Sequence, residues 1–219
     1  MSNVMTMNAS DSKPTLASHA VFLRFHQGHL DVFLVRDLTK NDERQWTLPT
    51  AIVQPGESLL QAVGRTLQID DDNSPIEFAE FGSFVPNLAP EKEWLVGIGL
   101  LGLVQGDFDL TLDERGQQTA WHPLANLPDL EQYHSHIVRS AMLHLRQRIS
   151  IDTFPMALLP KKFRTKQVRH LYAQILGDHI SPRPFKAWLQ RRKAVTRTGP
   201  SMFTRNETLR HDWLLDWSD

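Results

Sequence analysis

The stretch WTLPTAIVQPGESLLQAVGRTLQID, residues 46–70, combines a strand end, a tight turn and an amphipathic helix. The turn is marked by Pro55-Gly56, since proline and glycine interrupt regular structure. After it, apolar residues recur at i, i+3, i+4 and i+8, which is one face of a 3.6-residue period. These residues are Leu59, Ala62, Val63 and Leu67. The stretch therefore predicts strand, loop and helix in that order.

The same stretch resembles the Nudix box, the signature of a family of nucleotide diphosphate hydrolases. When Glu57 is placed on the first glutamate of that signature, Arg65 falls on its arginine and Leu67 on its aliphatic position. The resemblance implies a Nudix-like α/β (α+β) fold, an α/β/α sandwich with a mixed sheet whose early strands line a substrate cleft. An ordinary amphipathic helix that follows Pro-Gly-Glu is the alternative explanation.

The chain departs from the signature at the positions that carry the chemistry. Thr66 and Ile69 stand where the signature has glutamates, and Asp70 is the remaining carboxylate of three. In the family's enzymes these carboxylates hold divalent cations on a diphosphate, and a hard cation such as Mg²⁺ needs several oxygen ligands. The sequence therefore predicts a Nudix fold that is not an enzyme and has neither a metal site nor a cofactor. The paired glycines before the loop are also replaced, by Thr50-Ala51.

The composition is that of a globular protein without thiol chemistry. The 219 residues are 41% hydrophobic and 22% charged, and the absence of cysteine excludes disulfides, zinc ribbons and cysteine nucleophiles. No apolar run approaches the roughly 18 residues of a membrane helix, and the first residues have no signal-peptide pattern. We expect a cytoplasmic protein whose residues 1–17 are disordered.

The net charge of −1 conceals two parts of opposite sign. Residues 1–154 hold 11 Lys and Arg against 20 Asp and Glu, whereas residues 155–219 hold 13 against 5. The C-terminal part therefore carries a charge of +8 over 65 residues, which favours a polyanionic partner such as nucleic acid. A basic surface without a partner is the alternative.

Residues 18–153 contain the elements expected of the sandwich. A hairpin is predicted over His19–Val35, with its turn at Gln27-Gly28. Further segments have strand or helix patterns. The predicted strands are 76–85, 94–104 and 120–124, and the predicted helix is 131–149.

Residues 154–219 are predicted to form a winged helix-turn-helix domain, and the prolines of 154–160 mark its start. A helical stripe runs through Val168, Leu171, Tyr172, Ile175 and Leu176. Gly177 ends that helix, and a second begins at Pro182. Two strands, 195–199 and 212–215, would form the wing. A small helical cap docked on the first domain is the alternative.

The second of these helices resembles a DNA recognition helix. Its apolar residues are predicted to face inward, while its basic and amide side chains point outward, where Arg pairs with guanine and Gln with adenine. The candidate DNA-binding residues are Arg183, Lys186, Gln190 and Arg191 on the helix, and Arg197 in the wing for phosphate.

A Nudix-like domain with a damaged box, fused to a basic winged helix, resembles the Nudix-related transcriptional regulators over residues 19–217. The resemblance implies a repressor that binds a palindromic operator as a homodimer. In one branch of the family, the repressed genes are those of NAD metabolism. ADP-ribose or a related nucleotide would be its effector, whereas other branches regulate sugar catabolism. The alternatives are a nucleotide diphosphate hydrolase and a sensor that binds no DNA.

Five residues are candidates for binding the effector. Arginine suits bidentate phosphate binding, aromatic rings can stack on adenine, and either aromatic can instead be a core residue. The candidates are Arg36, Trp46, Glu57, Arg65 and Tyr133. Arg65 has an equally plausible structural role in holding a neighbouring glutamate. His134 and His136 are the closest histidine pair, but i and i+2 on a helix do not converge on a metal.

Overall fold

The computed structural model describes residues 14–38, 45–69, 74–85, 95–106, 108, 110, 117–191, 195–200 and 202–206. Its larger sheet contains β1 (Thr15–His26), β2 (His29–Asp37), β3 (Thr50–Ile52), β4 (Ile76–Phe84), β5 (Leu95–Val104) and β6 (Gln117–Pro123). The strand order is β4-β5-β1-β2-β6, with β3 also paired to β1. Because β1 runs parallel to β5 and antiparallel to β2 and β3, the sheet is mixed, as predicted.

Helices cover both faces of this sheet. Along β1, Ala20 and Phe22 belong to the core that includes α1 (Leu59–Leu67), whereas Val21 and Leu23 belong to the core that includes α2 (Gln132–Ile151). Successive strand side chains point to opposite faces, so one strand supplies both cores. The predicted α/β/α sandwich is confirmed.

Local sequence explains where α1 and the first hairpin begin and end. Ser58 caps α1 in a capping box with Gln61, which satisfies amides that the helix itself cannot bond. Gln27 and Gly28 both have positive φ, at 48° and 87°, and therefore form the tight hairpin turn predicted at this dipeptide. β1 begins at Thr15, so the predicted disordered segment 1–17 is wrong at its last three residues.

The C-terminal part contains β7 (Lys162–Arg164), α3 (Thr165–Leu176), α4 (Pro182–Arg191), β8 (Val195–Gly199) and β9 (Met202–Arg205). The three strands form a second sheet in the order β7-β9-β8. β8 pairs with β9, and Gly199-Pro200 allows the tight turn between them. The other predicted wing strand, 212–215, lies outside the described residues.

The chain passes between the two parts through a buried segment rather than an exposed linker. A 3₁₀ helix at Phe154–Leu158 is buried along its whole length, and its residues join one core with α2, α3 and α4. Gln105 Nε2 donates to the carbonyl of Leu159 at 2.7 Å, and Arg146 Nε donates to that of Ile175 at 2.8 Å. The predicted boundary between the two parts, at residues 154–160, is therefore a buried segment that packs against α2, α3 and α4. No helix in the described part of the chain is long and apolar enough to cross a membrane.

Candidate functional site

A cleft of about 280 Å³ opens where β2, the segment before β3, and the ends of α1 and α2 meet. It lies where the family resemblance places a substrate cleft. Its lining residues are Val35, Asp37, Thr47, Leu48, Pro49, Thr50, Thr66, Gln117, Glu131 and His134. Two of these are acidic, and none of these described residues is Lys or Arg.

Arg36 and Trp46 lie beside the cleft but do not line it. The Arg36 guanidinium carbon stands 4.9 Å from the Trp46 ring centroid, and its Nη2 donates to the Gln118 side chain. Trp46 is buried, and its ring meets the edge of His122 at 4.4 Å. The core role that the sequence left open for Trp46 is therefore the observed one, and Arg36 covers it as a cation over an aromatic face.

Glu57 and Arg65 bind each other. Arg65 Nε lies 2.8 Å from one carboxylate oxygen and Nη2 lies 3.0 Å from the other, while Nη2 also donates to the Ile52 carbonyl at 3.0 Å. The Arg65 guanidinium, together with the Gln54 amide, lowers the pKa of Glu57 to about 2. The structural role considered for Arg65 is thus the one the geometry favours, because it fixes the loop before α1.

Tyr133 belongs to a polar cluster behind the cleft wall. Its hydroxyl lies 3.4 Å from His19 Nε2 and 3.3 Å from the Phe84 carbonyl, while His19 Nδ1 lies 3.0 Å from Thr50 Oγ1. Burial, with a smaller effect from His134, lowers the pKa of His19 to about 4, so this ring is neutral at pH 7. Thr50, which lines the cleft, is thereby connected to Tyr133, which does not.

Four of the five predicted effector residues lie one position away from a residue that lines the cleft, whereas Glu57 has no such neighbour. In a strand, neighbouring side chains point to opposite faces, and on a helix they are rotated by about 100°. The lining residues are Val35 and Asp37 beside Arg36, Thr47 beside Trp46, Thr66 beside Arg65, and His134 beside Tyr133. The signal that could have found Val35 is the alternation of the strand, in which it shares a face with Phe33.

Two of the lining residues, Thr66 and His134, were not among the predicted effector residues. The sequence resemblance aligns Thr66 with a carboxylate position of the Nudix box, and in the structure the Thr66 hydroxyl donates to the Ala62 carbonyl at 3.0 Å. His134 is buried, and its Nδ1 accepts the Leu48 amide at 2.9 Å. Burial lowers the pKa of His134, and the Glu131 charge opposes that effect. Among the described residues, no group of three or more His, Cys, Asp or Glu side chains is placed to hold a metal ion.

A second candidate surface is formed by α4 and β8. Phe185 and Leu189 are buried, and Phe185 contacts the Tyr172 ring of α3 at 5.9 Å. This apolar side fixes α4 against α3, as the sequence predicts. Basic side chains are left exposed. They are Arg183 and Lys186 on α4 and Arg197 on β8.

Gln190 and Arg191 lie in the last turn of α4, as predicted, but their side chains fall outside the description of the structure. Arg197 Nε donates to the Gly199 carbonyl at 3.1 Å, and the two terminal nitrogens of the guanidinium take no part in this hydrogen bond. Gly177 ends α3 with a φ of 72°, and Arg169 Nη1 donates to the Ile180 carbonyl at 2.9 Å. The turn between α3 and α4 is therefore fixed at both ends.

Comparison with known proteins identifies the fold. No family model and no curated protein sequence matches the chain. A MutT/nudix family protein from Enterococcus faecalis is similar in structure, with 18% identity over 90% of this chain and 88% of that chain and a TM-score of 0.75. NrtR from Shewanella oneidensis, in complex with a 27mer DNA, has 18% identity over 89% and 94% of the two chains and a TM-score of 0.68.

A third structure covers the first part of the chain only. The NUDIX domain of Shewanella oneidensis NrtR, in complex with ADP ribose, has 19% identity over 66% of this chain and 99% of that chain, with a TM-score of 0.51. Because these identities are all below 20%, the comparisons show a shared fold and nothing beyond it. The chain therefore has a Nudix-type α/β/α sandwich, followed by C-terminal elements that are also present in the more extensive matches.

Proposed function

We propose that the protein is a DNA-binding transcriptional regulator whose Nudix-type domain senses a nucleotide effector. The observation that carries this proposal is the placement of Arg183 and Lys186 on the exposed side of α4, whose other side packs on α3. The order strand, helix, helix and two-stranded hairpin is that of a winged helix-turn-helix, in which the second helix enters the major groove. We assign this domain to residues 154–219.

Electrostatics supports DNA as the partner of this domain. This domain carries a net charge of +8, whereas residues 1–154 carry a net charge of −9. Neutralisation of phosphates by Lys and Arg supplies most of the non-specific affinity of proteins for DNA. The structural likeness to NrtR in complex with DNA supports the same assignment. In this proposal Arg183, Lys186 and Gln190 read bases, Arg191 lies beside them, and Arg197 contacts phosphate.

The cleft is proposed as the effector site, with ADP-ribose as the first candidate. The likeness to the NrtR domain that holds ADP ribose supports a ligand of this class. We propose that the protein is a cytoplasmic repressor of NAD metabolism genes; a role in sugar catabolism would instead require a pentose effector. Calorimetry with ADP-ribose, NAD, AMP, arabinose and xylose separates these two cases.

We propose that the domain does not hydrolyse its ligand. At the Thr66 position the Nudix box has a metal-binding carboxylate, whereas here a hydroxyl bonds to its own helix. Incubation with ADP-ribose, NADH or dinucleoside polyphosphates in Mg²⁺ or Mn²⁺ should therefore give no product. Turnover at about 1 s⁻¹ or faster, the low end of ordinary enzymes, would make the protein a hydrolase.

The experiment that tests the regulatory proposal is a selection of bound duplexes from a random DNA pool. We expect enrichment of an inverted repeat, bound by a homodimer, with half-sites about one helical turn, ~34 Å, apart. Sedimentation of the protein with the enriched duplex gives the stoichiometry. Recovery of random sequences without enrichment would exclude a sequence-specific regulator.

A further inference from the structure

We propose that Glu131 and His134 form a hydrogen-bonding pair that holds a sugar ring, a neutral and hydroxyl-rich group, inside the cleft. The inference rests on the proposed effector-sensing function and specifies which part of the ligand enters. Both residues line the cleft. Glu131 is the N-cap residue of α2 and His134 lies in the first turn of that helix, so the start of α2 supplies both.

The hydrogen bond from Leu48 fixes the proton on His134. A backbone amide can only donate, so the Nδ1 that lies 2.9 Å from the Leu48 nitrogen must be the unprotonated nitrogen of the ring. A neutral imidazole then carries its proton on Nε2. No described residue accepts a hydrogen bond from that nitrogen, although the residue is only 8% exposed. The ring therefore offers one oriented donor to the cleft.

Glu131 supplies the complementary acceptor. It is the residue before the first turn of α2, and its side chain makes no capping hydrogen bond to the helix. Its carboxylate oxygens are therefore available to a ligand, and an ionised carboxylate only accepts hydrogen bonds. A sugar hydroxyl can donate to Glu131 while a neighbouring hydroxyl accepts from His134.

The three threonine hydroxyls of the wall also act as acceptors rather than donors. The hydroxyls of Thr47, Thr50 and Thr66 donate to the carbonyls of Val35, Leu48 and Ala62 at 3.2, 3.1 and 3.0 Å. Each hydroxyl has a single proton, so these side chains present only lone pairs to a ligand. None of the described lining residues is cationic. This wall chemistry favours a group with several hydroxyl donors and disfavours a phosphate.

The cleft lies at the small end of the range for ligand sites. Its volume of about 280 Å³ lies just below the range of roughly 300–1,000 Å³ for sites that enclose a whole drug-sized ligand. In ADP-ribose, the terminal sugar is linked to phosphate at one end only, so it can enter such a cleft while the diphosphate stays outside. ADP lacks that sugar and is therefore the matched probe.

The test is calorimetry of the full chain with ADP-ribose, ADP and free ribose, xylose and arabinose. His134→Asn keeps an acceptor near the position of Nδ1 for the Leu48 amide but removes the Nε2 donor. His134→Gln places an amide donor near the position of Nε2. Thermal unfolding of each variant shows whether only the hydrogen bond from the Leu48 amide to residue 134 has been lost.

We expect wild-type protein to bind ADP-ribose at least tenfold more tightly than ADP, or to bind a free pentose. His134→Asn and Glu131→Gln should each lose that preference or that pentose binding, while His134→Gln retains most of it. A His134→Asn variant with wild-type selectivity would overturn the inference, as would wild-type protein that binds none of these probes. In either case the DNA selection described above still decides the proposed function independently.

Discussion

The Arg205 guanidinium donates to both carboxylate oxygens of Glu77, with Nη1 2.9 Å from Oε2. The two side chains are 17% and 18% exposed, so water competes little with this pair. Glu77 lies on β4 at the edge of the larger sheet, and Arg205 lies on β9 in the smaller one. The ion pair therefore joins the hairpin of the C-terminal part to the sandwich, and it does so far along the sequence from the buried junction at 154–159.

Glu77→Gln should destabilise the protein by about 1–3 kcal/mol, because a charge-assisted pair is lost and the Arg205 charge stays half-buried. Urea unfolding measures this loss. Glu80→Gln, an exposed acid on the same strand, is the matched control and should lie within about 0.5 kcal/mol of wild type. Equal effects of the two substitutions would mean that the β4–β9 pair contributes nothing specific.

Arg65→Met should raise the pKa of Glu57 from about 2 toward the ordinary carboxyl range, because the Arg65 hydrogen bond is the largest cause of the depression. Carbon-detected NMR titration of the Glu57 carboxyl measures this value. Arg36→Met is the control, since Arg36 bonds to Gln118 instead. A Glu57 pKa that stays near 2 in Arg65→Met would show that the loop amide alone sustains it.

Stability should fall as the pH drops from about 6.5 to about 4, and His19 should account for part of this loss. The folded protein keeps His19 neutral down to a pKa of about 4, whereas the unfolded chain protonates it near the ordinary histidine pKa of 6.5. Between these values the unfolded state binds more protons, so stability present above pH 6.5 is lost on acidification. The His19 contribution is on the order of 3 kcal/mol.

Urea unfolding at pH 7, 5.5 and 4 measures this dependence. His19→Asn should flatten the curve, while His29→Asn, which removes an exposed histidine of the same hairpin, should leave it unchanged. If all three proteins lose stability in parallel, the buried ring of His19 is not a source of the acid sensitivity.

Gly97→Ala should destabilise the protein by about 1–3 kcal/mol, the usual cost of overpacking. A methyl group there would lie 2.5 Å from His19 Cδ2 and 2.6 Å from the Tyr133 hydroxyl. Gly82→Ala is the control, since its methyl would meet Phe84 at an ordinary 3.5 Å. Thermal unfolding compares the two variants. A neutral Gly97→Ala would indicate that the cluster behind the cleft can move aside.

The sandwich is predictable from sequence because its elements have strong local signals. The Gln27-Gly28 turn and the α1 stripe each fix a conformation through a few neighbouring residues. The cleft is predictable as a region, since Arg36, Trp46, Arg65 and Tyr133 each stand next to a lining residue. Chemical type alone indicates Arg and aromatic side chains, whereas the pleat of a strand and the rotation of a helix decide which side chains face the cleft.

Other features depend on contacts between distant residues. β9 is four residues long and is defined by its pairing with β7, about forty residues earlier, and with β8. No local pattern marks it, whereas the more apolar segment 212–215 has a strand pattern in the sequence. The tautomer of His134 follows from its hydrogen bond with Leu48, 86 residues away.

Titration of the selected operator duplex with wild-type, Arg183→Ala and Arg197→Ala protein at two salt concentrations shows whether α4 and β8 bind DNA. Arg183→Ala should lose about 1–3 kcal/mol on the operator and relax specificity at one position, since arginine reads guanine in the major groove. Arg197→Ala should weaken all duplexes alike and reduce the salt slope by about one unit. Arg139→Ala, an exposed arginine of α2, should match wild type. Operator affinity and specificity unchanged in Arg183→Ala would contradict the assignment of α4 as the recognition helix.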